Sequence, residues 1–337
     1  MSKCINGLVS IIMPIYNRAR FLAQAIDSIC GQQYTNWELI IVDDGSSDDS
    51  LSLLADLVKD ITQPIVILEQ TNQGPAAARN AGINAAKGEF VAFFDSDDFW
   101  YSFHLQNCVQ ALQAHPQLSW IYGACERYHF DTKECLQRST FYTSDAPNKL
   151  FSIARKTENG VYLLDSSEAI LLQLTTGLDN GLQNSVLRKT VLDKHLIPNF
   201  RVGEDRLFII MALKSGFNMG FIDQIHVRYY VHDANISDTN KDSDNYERRI
   251  EALERLMTAK NALVDLVDLN KRELKVYKHQ VSKELFWELG YALYQASGDY
   301  RRAMSTYAKA IKLKPFTPSY YKTYVVSCIK RIFSFSF

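Results

Sequence analysis

The sequence lacks a long hydrophobic run, because no window of its 337 residues holds the ~20 mainly apolar residues that a membrane-spanning helix needs. It also lacks an excess of charge of one sign: 37 basic side chains stand against 38 acidic ones, and the net charge is -1. A balanced charge gives no general attraction to nucleic acid or to an anionic membrane. We therefore expect no nucleic-acid partner.

Cysteine pairs are absent too. The six cysteines include no CxxC pair and no spacing typical of a disulfide framework, which is typical of reduced thiols in a cytosol. We expect these cysteines to be small buried residues. No secretion signal is recognisable, because the first apolar run, LVSIIMPIY, has no basic leader and continues into a polar turn. The sequence predicts a cytoplasmic protein.

Two nucleotide-binding motifs are missing as well. The first predicted strand-to-helix turn contains PIYNRARF and not the GxGxxG of a dinucleotide-binding enzyme. No phosphate-binding Walker loop occurs in the chain. These absences argue against a dinucleotide oxidoreductase and against a P-loop NTPase.

What is present is a regular alternation in the first part of the chain. Short apolar runs rich in Val, Ile and Leu alternate with segments whose apolar residues recur every three or four positions. This pattern predicts an α/β fold, with a mainly parallel sheet and helices on both faces. The apolar runs occupy residues 8–14, 38–44, 64–70, 89–95 and 118–124.

We predict that the chain divides into a main domain, residues 1–240, and a helical C-terminal region, residues 246–337. We predict a flexible loop in the polar stretch between them. Residues 284–315 resemble one tetratricopeptide-like helical hairpin. Two alternatives stay open for this region: simple packing, or a surface for a protein partner or self-association. The final segment, YYKTYVVSCIKRIFSFSF, mixes basic and aromatic residues, so it either docks as a helix or contacts the inner face of a membrane.

A cluster of carboxylates follows the fourth apolar run, in FFDSDDFW. Unpaired carboxylates repel one another and resist burial, so we expect a positive partner there. If the strand is still extended, Asp95 and Asp97 point to the same side, where they would face a divalent cation or a ribose. The alternative is a solvated acidic turn that caps a helix starting at Phe99.

Other polar residues stand where ligands bind in such sheets, beyond the strand ends. Gly74 and Pro75 begin a predicted helix whose N-terminus would suit a phosphate, and Arg79, one to two turns into it, would form a salt bridge with one of the aspartates in one interpretation. Glu204 and Asp205 begin another predicted helix, where the macrodipole favours negative charge.

Five motifs occur in order: VSIIMPIYNR, ELIIVDDGSSDDS, NQGPAAARNAGINAAKGEFVAFFDSDD, GEDRLF and YYVHDANIS. Over residues 8–237 this series resembles the motifs of family 2 glycosyltransferases. The resemblance implies a GT-A fold, which is Rossmann-like with a mixed, mainly parallel sheet. It also implies that residues 1–125 bind a nucleotide and residues 126–240 bind an acceptor.

The resemblance also assigns roles to individual residues. Asp97, Asp95 and His232 would hold Mn²⁺ or Mg²⁺, a donor set that suits such cations. Asp205 would be the general base, with Glu204 as the open alternative. The implied nucleotide-binding residues are Pro14, Tyr16, Asn17, Asp44, Gly74, Arg79, Asp95 and Ser96.

The implied activity is a metal-dependent, inverting hexosyl transfer from a nucleotide diphosphate sugar. We expect a UDP-sugar donor and a hydroxyl of a glycan, lipid-linked or protein-linked acceptor, in surface polysaccharide or lipopolysaccharide synthesis, in the cytoplasm or peripherally at the inner face of the membrane. The alternative is an inactive GT-A-like scaffold that binds a sugar nucleotide or a partner protein. Hydrolysis of the donor in the presence of Mn²⁺ would distinguish the two.

Overall fold

The computed structural model describes residues 4–232, 235 and 246–334, which fall into two compact units. The predicted loop after YYVH lies outside the described residues, apart from Asn235 and the start of the following helix. The first unit spans Met1–Gln173 and Gly177–Ala234, and the second spans Leu174–Thr176 and Asn235–Phe337.

The first unit is an α/β domain. Its strands are β1 (Ile5–Ile15), β2 (Trp37–Asp43), β3 (Ile65–Glu69), β4 (Gly88–Phe93), β5 (Phe99–Trp100), β6 (Leu118–His129), β7 (Cys135–Gln137), β8 (Tyr142–Thr143), β9 (Ala146–Pro147), β10 (Ala154–Lys156), β11 (Val161–Leu164), β12 (Ser185–Arg188) and β13 (Asn218–Val231). Its α-helices are α1 (Ala19–Cys30), α2 (Ser50–Val58), α3 (Pro75–Ala85), α4 (His104–Ala114), α5 (Ser166–Gln173), α6 (Lys189–Lys194) and α7 (Glu204–Lys214).

One large sheet organises this unit, in the order β10-β11-β13-β6-β12-β4-β1-β2-β3. Strands β3, β2, β1 and β4 are mutually parallel, and β13 is parallel to β6. The strand β12 is antiparallel to both of its neighbours, β4 and β6. The predicted mixed, mainly parallel sheet is therefore confirmed.

The centre of the sheet is buried, as its apolar strands predict. Every residue of β2 is buried, and α3 packs closely on β1. A methyl group at Gly82 of α3 would lie 2.4 Å from Cγ2 of Ile12, so glycine allows this approach. One polar group is built into the core: the Glu38 carboxylate accepts hydrogen bonds from the Ser10 hydroxyl and the Lys87 amide.

Three sequence expectations are wrong. The strand β4 ends at Phe93 and the chain then turns, with the Asp98 amide donating to the Asp95 carbonyl at 2.9 Å, so Asp95 and Asp97 do not continue an extended strand. Phe99 begins the short strand β5 and not a helix, because α4 starts at His104. The cysteines are free, but only two are buried; Cys4, Cys30 and Cys135 are exposed, and Cys328 is half-buried.

The second unit is helical. A capping box begins the helix Lys271–Lys283, in which the Asn270 side chain and the Glu273 side chain each bond the other residue's backbone amide. A Cβ at Gly290 would lie 2.6 Å from the Tyr307 ring, so the two helical segments that contain these residues pack closely. In the described residues no helix is long and apolar enough to cross a membrane. The segments are α8 (Tyr246–Leu266), α9 (Lys271–Lys283), a π-helical continuation (Glu284–Gln295), α10 (Tyr300–Leu313) and α11 (Pro318–Ser334).

Candidate active site

The polar residues singled out in the sequence lie beyond the carboxyl ends of parallel strands, where ligands bind in sheets of this kind. β1 is followed by Tyr16 to Arg18, β2 by Asp44, and β4 by the turn from Asp95 to Asp98. β13 is followed by His232. Helices α3 and α7 add Arg79 and Glu204, and the side chains form two groups of contacts.

The first group is centred on Arg79. Its Nη2 atom lies 2.7 Å from Oδ1 of Asp95, and its Nη1 atom lies 2.9 Å from Oε1 of Glu204. Burial disfavours the charged guanidinium, but the charges of Asp95 and Glu204 outweigh this and raise the pKa of Arg79. Of the two alternatives for Arg79, the ion pair with an aspartate is the one that the structure shows. Arg79 is therefore one positive partner of Asp95, and metal binding by Asp95 stays a prediction.

Glu204 is the buried carboxylate of the pair that begins α7. Burial raises its pKa to about 7, because it outweighs the attraction of Arg79, and the nearby charges of Asp205 and Asp95 act in the same direction as burial. Near neutral pH the Glu204 carboxyl therefore exists in both protonation states. The Glu204 carboxylate is thus engaged with Arg79, and its role as the alternative base stays a prediction.

Asp205 occupies the next position and is half-buried. Its Oδ1 atom accepts a hydrogen bond from the Arg206 amide at 2.7 Å. The preceding residue, Gly203, has a φ of +84°, a left-handed conformation that glycine adopts readily. Glu204 and Asp205 are successive residues of α7, so their side chains point in different directions: Glu204 pairs with Arg79, while Asp205 keeps a partly accessible side chain.

The second group is centred on Asp97. Its Oδ2 atom lies 3.3 Å from Nη2 of Arg18 and 3.1 Å from Nε2 of His232. Burial opposes ionisation, but the hydrogen bond from His232 and the charge of Arg18 lower the pKa of Asp97 overall. The His232 ring packs against Phe21 at 4.7 Å between centroids. Sequence analysis missed the role of Arg18, although Arg18 is the last residue of the quoted motif VSIIMPIYNR.

Two of the three predicted metal ligands therefore lie together. Asp97 and His232 offer a carboxylate and an imidazole, a donor pair that suits Mn²⁺. Asp95 contacts Arg79 instead. Among the residues that the structure describes, Asp95, Asp97 and His232 belong to no group of three potential metal ligands within 4.8 Å of one another. Since Mg²⁺ and related ions commonly combine one or two protein ligands with substrate phosphates and water, the pair fits such an ion.

Asp44 is buried and holds the loop that leads into α3. Its Oδ1 atom accepts hydrogen bonds from the Gln70 side chain at 2.7 Å and the Gln73 amide at 2.8 Å. Its Oδ2 atom accepts from the Gly74 amide at 2.8 Å. Gly74 has a φ of +93° and Pro75 begins the helix, as predicted. Binding of a nucleotide base by Asp44 stays a prediction.

The first loop contains the other predicted nucleotide contacts. Tyr16 is 45% exposed, which leaves its ring accessible to a ligand. Asn17 has a φ of +54°, and its Oδ1 atom accepts from the Ser47 amide at 2.8 Å, which joins the loops after β1 and β2. Pro14 lies within β1 and Ser96 is buried in the turn after β4.

Asp98 was grouped with its acidic neighbours in the sequence, but it is buried inside the domain. Burial and the charges of Asp97 and Asp95 raise its pKa well above the usual range. Its Oδ1 atom accepts a hydrogen bond from the Tyr230 amide at 3.2 Å, which joins the turn to β13. Asp98 is therefore a structural residue of the site.

Residues 10–171 match the model of glycosyl transferase family 2. An uncharacterized glycosyltransferase of Haemophilus influenzae is 47% identical over 92 residues, which cover 27% of this chain and 37% of that protein. The UDP-Glc:alpha-D-GlcNAc-diphosphoundecaprenol beta-1,3-glucosyltransferase WfgD of Escherichia coli is 35% identical over 119 residues, 35% of this chain and 46% of that protein. The match thus spans less than half of either relative.

Solved structures share the fold. S. aureus TarS 1-349, in complex with UDP-GlcNAc, has a TM-score of 0.61 at 16% identity, over 90% of this chain and 81% of that chain. The mannosyltransferase PcManGT from Pyrobaculum calidifontis, in complex with GDP-Man and Mn²⁺, has a TM-score of 0.54 at 18% identity, over 95% and 84%. These likenesses confirm the predicted GT-A-type fold. Residues 10–171, which include Asp44, Arg79 and Asp97, match glycosyl transferase family 2, and this match confirms the resemblance predicted from the sequence motifs.

Proposed function

We propose that this chain is a metal-dependent inverting glycosyltransferase that moves a hexose from a nucleotide diphosphate sugar to an acceptor hydroxyl. One observation carries the proposal: Glu204 is held by Arg79, while the adjacent Asp205 is half-buried at the same edge of the sheet as the Asp97–His232 pair. The arrangement provides a candidate base for the acceptor and a candidate donor-binding pair.

The donor side of the proposal rests on Asp97 and His232. A divalent cation bound by these two side chains would supply positive charge for the departing diphosphate. Arg18, 3.3 Å from Asp97, adds a fixed positive charge at the same place. A UDP-sugar is the favoured donor, because the related E. coli enzyme is named for UDP-Glc and the TarS structures contain UDP and UDP-GlcNAc.

The acceptor side rests on Asp205. In a single displacement the acceptor oxygen attacks the anomeric carbon, the bond from that carbon to the phosphate oxygen breaks, and the acceptor proton passes to the Asp205 carboxylate. Attack opposite the leaving group inverts the anomeric configuration. Arg79 and Glu204 would be positioning residues, because their ion pairs hold Asp95 and the start of α7 in place.

We assign the acceptor to the lipid-linked or other glycan class, since the related E. coli enzyme is named for a diphosphoundecaprenol-linked sugar. This assignment places the reaction in surface polysaccharide or lipopolysaccharide synthesis, in the cytoplasm or at the inner face of the membrane. Residues 1–125 would bind the nucleotide and residues 126–240 the acceptor.

The test compares Asp205→Asn with the wild-type protein. We expect nearly unchanged stabilisation by UDP-sugar and Mn²⁺ in a thermal-shift assay, and loss of sugar transfer, because a base acts mainly in the transition state. Asp97→Ala should instead abolish the metal-dependent part of UDP binding. Full transfer by Asp205→Asn would move the base elsewhere. Wild-type protein that binds a donor and neither transfers nor hydrolyses it would favour the inactive scaffold.

A further inference from the structure

A second group of potential ligands lies in the core of the first unit, away from the Asp97 pair. His104 and Cys108 come from α4, and His226 comes from β13. The Nδ1 atoms of the two histidines lie 3.1 Å apart. The Cys108 sulfur lies 3.9 Å from the Nδ1 atom of His104 and 3.6 Å from that of His226. All three side chains are buried.

Local structure explains why these side chains converge. His104 and Cys108 are four residues apart, so they share one face of α4. His226 lies where the pairing of β13 with β6 shifts, between Ile225 and Val227. Such a bulge re-aims a side chain. The His226 ring lies over Gly123 of β6, where a Cβ would come within 2.2 Å of the ring carbon Cγ.

The three distances match those between the corners of a tetrahedral zinc site. With Zn–N bonds of about 2.0–2.1 Å and Zn–S bonds of about 2.3 Å, tetrahedral angles separate two nitrogens by about 3.3 Å and nitrogen from sulfur by about 3.6 Å. The observed separations are 3.1, 3.6 and 3.9 Å. An ion between the three atoms therefore needs only small side-chain shifts.

A metal-free cluster satisfies these groups poorly. Two neutral imidazoles that face each other through Nδ1 share a single N–H···N bond, because only one of the two Nδ1 atoms carries the shared proton. The rings are oriented by packing, with Trp100 at 4.5 Å from His104 and Phe103 at 5.5 Å from His226.

We propose that His104, Cys108 and His226 bind a structural Zn²⁺ ion through two imidazole Nδ1 atoms and one thiolate. Binding releases the thiol proton of Cys108 to solvent, and a water or other small ligand completes the tetrahedron. The ion would fasten α4 to β13, the strand that leads to His232. This site is separate from the proposed cation at Asp97 and does not depend on the activity proposed above.

The test measures metal in the full chain, expressed in zinc-containing medium and purified without chelators. We expect about one zinc ion per chain by mass spectrometry of the metal. Cys108→Ser and His226→Phe should each lower the content by about tenfold or more, and phenylalanine keeps a ring over Gly123. Cys125→Ser is the matched control, because Cys125 is also buried in this unit. Asp97→Ala should keep its zinc.

Cobalt gives a second readout that needs no variant. Protein expressed with Co²⁺ should show a thiolate-to-cobalt charge-transfer band, and Cys125→Ser should retain it while Cys108→Ser loses it. Wild-type protein that carries no zinc and shows no such band overturns the proposal, as does Cys108→Ser with wild-type metal content. If the variants are insoluble, the wild-type metal content and spectrum decide the question.

Discussion

Glu204 shows how burial and pairing act on one side chain. It lies 2.9 Å from Arg79, yet burial raises its pKa from 4.5 to about 7. In the unfolded chain Glu204 loses its proton at lower pH than in the folded chain. This difference in the pKa of Glu204 therefore contributes to the stability of the folded state most below about pH 4.5. The contribution is lost as the pH rises through about 7.

We predict that Glu204→Gln removes this pH dependence, because glutamine does not titrate. Relative to that of the wild type, the free energy of unfolding of the variant should rise as the pH increases from about 4.5 to about 7, and then level off. Urea titrations at a series of pH values measure it. Glu158→Gln, at an exposed position, is the control. A difference that does not change with pH would show that Glu204 ionises alike in both states.

At the scale of elements, the contact of α3 with β1 positions Arg79, which lies one turn before Gly82. We predict that Gly82→Ala lowers the free energy of unfolding and weakens donor binding, because the new methyl group would lie 2.4 Å from Ile12. Overpacking costs about 1–3 kcal/mol, against a gain of about 1 kcal/mol in helix propensity.

A double-mutant cycle with Ile12→Ala isolates this contact. Ile12→Ala alone leaves a cavity that costs about 2–5 kcal/mol, and the methyl group that Gly82→Ala adds fills part of it in the double variant. The double variant should therefore be more stable than the sum of the two single losses implies. Urea denaturation of all four proteins gives the coupling energy. Strict additivity would mean that α3 moves away from β1 at little cost.

The elements that the sequence predicted are those with a strong local pattern. The five apolar runs lie largely within β1, β2, β3, β4 and β6, because continuous apolar segments indicate buried strands. The strand β12 was not recognised, since its four residues, SVLR, are too short to show a period. Its place between β4 and β6 depends on contacts across the chain.

The site was predictable in its residues but less so in its contacts. Asp97 and His232 meet as a pair, although 135 positions separate them. The ion pair between Arg79 and Glu204 joins residues 125 positions apart, and no local sequence pattern at either residue indicates it. The spacing of His104 and Cys108 was visible, but their approach to His226 depends on a bulge and on Gly123, which only the folded strands reveal.

At the scale of the whole molecule, every strand of the large sheet comes before residue 232. We predict that a protein ending at residue 234 folds and keeps its stabilisation by UDP-sugar and Mn²⁺, because the proposed donor-binding residues all lie in the first unit. A ligand at a hundred times its Kd should stabilise it by about 2.7 kcal/mol. Circular dichroism and a thermal-shift assay measure this, with the full chain as the control. A truncated protein that does not fold would make the helical region a necessary stabiliser.

The antiparallel strand β12 has a consequence for synthesis on the ribosome. Its neighbours β4 and β6 both precede it in the chain, and about ninety residues lie between the end of β4 and the start of β12. At a translation rate of about 5–20 residues per second, β12 is synthesised about 5–18 seconds after β4. During that interval the edge of β4 that later pairs with β12 is unpaired and apolar. Such an edge can pair with another chain, which leads to aggregation unless a chaperone binds it.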